Sequence, residues 1–176
     1  MKNKKIFLIT IIIIISIFFI LLLGLKKEQN YIPESKLSII KNNISFKTLY
    51  SEEKIFLNDL LKEKPYNLIN IWASWCAPCK EEHPYLIELS FNDRINLVGI
   101  NYKDNIKNAK NFLFDLGNPY KEVLVDNSGV KSIELGAIGV PETYLLKDNK
   151  IIKKFIGPLN KITFDEISEI IKKWKK

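Results

Sequence analysis

"NIWASWCAPCKEEHP", Asn70 to Pro84, contains the only two cysteines of the chain, Cys76 and Cys79, and its only histidine, His83. Four chemistries use such a cluster: a structural staple, a metal site, a haem attachment site, or a thiol pair that exchanges electrons. A disulfide bridging so short a loop constrains little of the unfolded chain, so a staple is a poor reading. A structural zinc ion takes four ligands, and Cys76, Cys79 and His83 supply too few. Haem attachment of the c type needs histidine directly after the second cysteine, where this chain has Lys80. The remaining reading is a reactive pair. If a strand ends near Trp75 and a helix begins near Cys76, unpaired backbone N–H groups and the helix dipole favour a thiolate at Cys76. Cys79 then lies on the same helical face, a turn deeper, and Pro78 stiffens the first turn where no N–H is needed. One sulfur is the nucleophile and the other the resolving thiol.

Around this segment the pattern alternates. "LINIWASW" and "INLVGINY" are short apolar runs of buried-strand character, and "ISFKTL" and "EVLVD" are also strand-like. The segment after the cysteines predicts a helix with Tyr85, Leu86 and Leu89 inward. "EEKIFLNDLLKEK" has helical spacing, and "NIKNAKNFLFDLGNPY" reads as a helix stopped by Gly117 and Pro119. "SGVKSIELGAIG" predicts a short helix, and "ETYLLKDNKIIKKFIG" a hairpin turning at "KDNK". A last helix is expected from Thr163, where Thr163 to Glu166 matches a capping box, with Ile167, Ile170, Ile171 and Trp174 on one face. Strands alternating with helices and closed by a hairpin predict an α/β fold: a central mixed sheet with helices on both faces.

The N-terminus stands apart. Ile6 to Leu25 is an almost unbroken apolar run, long enough at ~1.5 Å per residue to span about one hydrocarbon core. "LLLGLKKEQN" has no small-residue cleavage pattern, so residues 1–25 read as an uncleaved membrane anchor. Lys2, Lys4 and Lys5 before the run slightly outweigh Lys26 and Lys27 after it, which favours the following domain outside. Residues 26–43 read as a polar linker and 44–176 as the folded domain. The net charge of +7 comes from a lysine surface, with Arg94 the single arginine. Nucleic-acid recognition favours the guanidinium fork, so no nucleic-acid partner is expected. There is no cofactor signature, and no cofactor or metal is expected.

"NIWASWCAPCKEEHP" resembles the active-site segment of the thioredoxin superfamily. With "GINYKD", "FLFDLGNPY", "GAIGVPETYLL" and "IGPL" in order, the chain is most similar to the TlpA/ResA-like branch and to cytochrome c maturation proteins of the CcmG/DsbE type. The resemblance covers about Ile44 to the C-terminus, and "GVPET" is its most discriminating part. It implies a thioredoxin-like fold, with Cys76 as nucleophile and Cys79 as resolving thiol. It also implies a cis-proline at Pro141 lying against the disulfide, a helix-kinking proline at Pro84, and Glu82 and Glu142 as acidic groups flanking the thiols. Trp75 is expected to border the nucleophile and Trp72 to pack inside its strand. General thioredoxins carry a titrating aspartate six residues before the first cysteine, where this chain has Asn70. His83 is expected to be an ordinary, partly exposed helix residue.

The activity implied is that of a membrane-anchored periplasmic thiol:disulfide oxidoreductase, held at the bacterial inner membrane. It would reduce apocytochrome c or another maturation protein and be recharged by a CcdA/DsbD-type membrane carrier. Two other readings stay open on the residues: an anchored reductase with different clients, and a non-catalytic module that binds apocytochrome.

Overall fold

A computed structural model of the chain describes residues 2–25, 44–62 and 64–173. The expected linker at 26–43 and Trp174 lie outside the described residues. The chain separates into two units, Met1–Asn30 and Tyr31–Lys176. The first contains one helix, α1 (Lys2–Leu25), whose side chains are described over 6–20 together with Lys4. Among the described residues, no helix is long and apolar enough to cross a membrane.

In the second unit the central run Tyr66–Trp72 forms β3, buried along its whole length. Its neighbours are β4 (Ile95–Tyr102), parallel, and β6 (Glu142–Lys147), antiparallel. Beyond β4 lie β5 (Glu122–Asp126), β1 (Ser45–Thr48) and β2 (Lys54–Phe56); beyond β6 lies β7 (Lys150–Ile156). The order β2-β1-β5-β4-β3-β6-β7 mixes parallel and antiparallel pairs, as the alternating pattern predicted. A strand buried on both faces carries apolar residues at successive positions, as at Leu68–Ile69 and Ile71–Trp72 of β3 and Leu97–Val98 of β4. The asparagines that interrupt these runs, Asn67, Asn70, Asn96 and Asn101, are buried with them.

Period-two alternation sorts the core into two layers. Leu68 and Trp72 of β3 face a layer with Leu86 and Leu89 of α3 (Ala77–Ser90), Phe112 and Leu113 of α4 (Ile106–Leu116), and Ile167 and Ile171 of α6 (Lys161–Lys173). Ile69 and Ile71 face the opposite layer with Leu57 of α2 (Leu57–Leu60) and with Leu135, just after α5 (Val130–Glu134). Helices therefore cover both faces.

Two local expectations are corrected. The helical spacing of "EEKIFLNDLLKEK" is realised only over Leu57–Leu60, because Lys54–Phe56 pairs antiparallel with β1. A hairpin partner satisfies those backbone groups in an extended conformation, and this outweighs a weak helical pattern. The last helix starts at Lys161, ahead of Thr163. Asn160 is its cap: the Asn160 side-chain oxygen accepts from the Thr163 N–H at 3.0 Å, and the Thr163 hydroxyl accepts from the Asn160 N–H at 2.8 Å. Thr163 thus closes the box rather than opening it, and Glu166 pairs instead with Lys153. At the β6–β7 turn Asp148 and Asn149 both have positive φ, the conformation of a tight two-residue hairpin.

Candidate active site

Cys76 is the residue that caps α3. Its backbone is extended at φ −88°, ψ 105°, and its sulfur accepts the Cys79 N–H at 3.2 Å. That N–H is one of the orphan donors of the first helical turn, so the same contact would stabilise a thiolate at Cys76. Cys76 and Cys79 are joined in a disulfide with Cα atoms 5.3 Å apart. Both are nearly enclosed, Cys76 being 5% exposed and Cys79 2%. Pro78 stands in the first turn, and Pro84 lies within a helix that continues to Ser90.

The loop before Cys76 is held from below by Asp104. Its carboxylate accepts from the Ser74 N–H at 2.6 Å, the Ser74 hydroxyl at 2.7 Å and the Asn101 amide at 2.9 Å. The Trp75 indole N–H donates to the Lys103 carbonyl at 3.1 Å, and its ring is 58% exposed beside the cap. Trp72 is buried, stacked on Tyr120 at 5.7 Å.

The Val140–Pro141 bond is cis. The register pairs Ile71 with Glu142, so Pro141 enters the sheet level with the end of β3, where the chain leaves for Cys76. Val140 packs against the apolar cluster that contains both cysteines.

Glu82 is not an exposed helix residue. It is fully buried, one helical turn beyond Cys79. One carboxylate oxygen accepts the Asn70 amide at 2.8 Å, and the other accepts the Leu159 N–H at 2.8 Å. Burial pushes its carboxyl up to about 7, against the opposing pull of the Leu159 N–H and the Asn70 amide. Asn70 also donates to the Thr143 hydroxyl at 3.0 Å and accepts the Tyr120 hydroxyl at 2.7 Å. Burial, and then Glu82, raise that hydroxyl well above its ordinary range. The sequence reading missed Tyr120 and Thr143, which are separated from Asn70 by 50 and 73 positions. The Glu82–Leu86–Leu89 spacing was the available signal for Glu82, since it places the glutamate on the inward stripe of α3.

Glu142 lies elsewhere. Its partner Ile71 and its neighbour Tyr144 belong to the layer opposite α3, so its side chain points away from the cysteine helix. There it accepts the Ile138 and Gly139 N–H groups at 2.8 and 3.0 Å and pairs with buried Lys154 at 2.8 Å. The structure does not bring it to the thiols. His83 is likewise corrected: it is buried, its ring edge-on to Phe112 and its Nε2 bonded to the Gly117 carbonyl at 2.9 Å. The helix turns this face inward, where burial lowers the imidazole pKa against the opposing pull of the Gly117 carbonyl. Among the described residues no cluster of His, Cys, Asp and Glu could hold a metal ion.

Comparison with known proteins accords with this geometry. The Redoxin family matches residues 28–171. The chain belongs to that family. It is 34% identical to the thiol:disulfide interchange protein DsbE of Pasteurella multocida over 168 residues, covering 93% of this chain and 92% of that protein. It is 44% identical to the thiol:disulfide interchange protein CycY of Rhizobium leguminosarum over 111 residues, covering 62% of this chain but only 60% of CycY. A DsbF homologue from Corynebacterium diphtheriae superposes with a TM-score of 0.63 at 25% identity, covering 80% of this chain and 96% of that one. The fold is thioredoxin-like. A Redoxin chain with a closed Cys76–Cys79 pair at a helix cap is a thiol–disulfide oxidoreductase.

Proposed function

We propose that this oxidoreductase is the reductant of cytochrome c maturation, anchored in the bacterial inner membrane with its catalytic domain on the periplasmic side. The observation that carries the reading is the meeting, at one end of β3, of the Cys76 helix cap and the cis Val140–Pro141 bond of "GVPET". The similarity to DsbE and CycY, both thiol:disulfide interchange proteins, supports the exchange chemistry, and the resemblance of "GVPET" to the CcmG/DsbE type supports the client class. The anchor rests on the apolar run Ile6–Leu25, and its orientation on the lysines that precede it.

In the working direction the protein starts as the dithiol. The Cys76 thiolate attacks one sulfur of a client disulfide, forming a mixed disulfide and releasing the client's other sulfur as a thiolate. Cys79 gives its proton to Glu82, and its thiolate attacks the Cys76 sulfur. The Cys76–Cys79 disulfide closes, and the second client thiolate leaves and takes up a proton. Two electrons pass from protein to client. A CcdA/DsbD-type membrane carrier returns them by the reverse exchange.

Replacing Cys79 with serine removes the resolving thiol and traps the mixed disulfide. In cells, Cys79→Ser is expected to accumulate adducts with apocytochrome c haem-binding segments and with a membrane dithiol carrier, and Cys76→Ala to accumulate none. Adducts that contain no apocytochrome or maturation protein would overturn the client assignment. Adducts on the Cys76→Ala background would overturn the mechanism itself.

A further inference from the structure

The buried chain behind Cys79 has a fixed polarity. The Asn70 amide uses both of its N–H groups, on Glu82 and on Thr143, while its oxygen accepts from Tyr120. An ionised carboxylate can only accept, so the NH2 edge of Asn70 must face Glu82, and the Tyr120 hydroxyl holds the other edge. Tyr120 is itself fixed by stacking on Trp72 and by the bare backbone of Gly99. A Cβ at Gly99 would stand 2.9 Å from the Tyr120 ring and from the Trp72 indole nitrogen. Two donors reach Glu82 directly, the Asn70 amide from β3 and the Leu159 N–H from the approach to α6, while Tyr120 from the segment before β5 and Thr143 from β6 act on it only through Asn70. Among these groups only Tyr120 titrates, joined by Cys79 on Glu82's own helix once the disulfide opens.

We propose that Asn70 and Tyr120 are positioning residues: the relay Tyr120–Asn70–Glu82 holds one carboxylate in place and in its charged form, ready to take the Cys79 proton. The proposal rests on the exchange reading above. Asn70 donates a permanent hydrogen bond and cannot itself hold the proton, so Glu82 is the only carboxylate in the relay. A hydrogen bond to a charged acceptor favours the charged form, so loosening the donor moves Glu82 toward the neutral acid. The buried carboxylate near 7 is consistent with a proton acceptor that works at neutral pH.

The test uses the full chain with Tyr120→Phe, Asn70→Asp, Glu82→Gln and the Tyr120→Phe/Glu82→Gln double variant. Carbon NMR of the Glu82 carboxyl reads the relay without any client. The parent is expected to titrate near 7. Tyr120→Phe is expected to move the midpoint up by about one pH unit. Asn70→Asp is expected to titrate in two coupled steps. Closure of the Cys76 mixed disulfide at neutral pH should slow about threefold to tenfold in Tyr120→Phe. The double variant should be no slower than Glu82→Gln. An unmoved Glu82 midpoint in folded Tyr120→Phe overturns the relay even where Asn70→Asp fails to fold, and so does an additive loss in the double variant. Failure of the parent to exchange with any disulfide, with the Glu82 titration still shifted by Tyr120→Phe, would sink the oxidoreductase mechanism and leave the relay standing.

Discussion

Glu82 and Glu142 are the two glutamates that the resemblance places beside the thiols, and both are fully enclosed, at 0% and 1% exposure. They are enclosed in opposite ways. Among the described residues Glu82 meets only neutral donors, an amide and a backbone N–H, and burial lifts its pKa into the neutral range. Glu142 meets a buried lysine and two loop N–H groups. The sheet separates them, since Glu82 lies on the α3 face and Glu142 on the other. A buried carboxylate without a counter-charge is a group that can change protonation in service. One with a counter-charge is a clasp. Here the clasp holds the Ile138–Gly139 segment immediately ahead of the cis-proline.

The largest expected effect breaks the clasp. Glu142→Gln keeps the shape and leaves the Lys154 ammonium buried with the Gly136 carbonyl and the Tyr144 ring as its described neighbours. Removing one partner of a buried pair costs about 3–5 kcal/mol, a large share of the roughly 5–15 kcal/mol that holds a domain together. The urea midpoint should fall accordingly, while the pH profile of exchange in the protein that remains folded should match the parent. A profile that moves with Glu142→Gln would restore this residue to the thiols and erase the contrast with Glu82.

Glu82→Gln should act with the opposite sign. The folded-state pKa is raised from 4.5 to about 7, so the stability linked to this group is fully present below 4.5 and is lost as pH rises through 7. The loss amounts to roughly 3 kcal/mol across that window. His83 works the other way: its pKa is lowered, so its contribution is present above 6.5 and disappears as pH falls through the folded value. Subtracting the variant's curve from the parent's cancels His83 and leaves the Glu82 slope. Unfolding free energies from pH 4 to pH 8 should therefore converge at the acid end and favour Glu82→Gln at the alkaline end. Parallel curves would mean that Glu82 has no shifted titration.

The contrast was only half legible in the sequence. Cys76, its helix and the flanking strands β3 and β4 follow from short apolar runs and a proline in the first turn, all local signals. Pro141 and the acidic candidates came from resemblance, which names residues without saying which face of a sheet they take. Whether Glu142 faces the thiols depends on its register with Ile71, 71 positions away in sequence, and no local pattern encodes that. The pairing of Asn70 with Tyr120 spans 50 positions and is similarly hidden. His83 was read as a partly exposed helix residue because nothing in its local sequence shows what packs over it. The Phe112 and Gly117 contacts that enclose it come from α4 and its end. Strand β2 escaped because its pairing with β1 decides it, not its own composition.

The smallest effect sharpens the comparison from the far end of Glu82. The Leu159 N–H reaches the carboxylate from the residue just before Asn160, and Asn160 caps α6 through reciprocal bonds with Thr163. Asn160→Ala removes the capping acceptor, which costs about 1 kcal/mol. It also frees the segment that carries Leu159, so the Glu82 carboxyl loses part of a lowering hydrogen bond and its midpoint should move further up, by less than in Tyr120→Phe. The Glu142 clasp, on the other face, receives nothing from Asn160, so stability linked to Lys154 should be unaffected. Thermal unfolding combined with carboxyl NMR checks both halves. A Glu82 midpoint that stays fixed while α6 loosens would show that the Leu159 N–H does not set the titration of the carboxyl, and would leave the Asn70 amide as the donor that does.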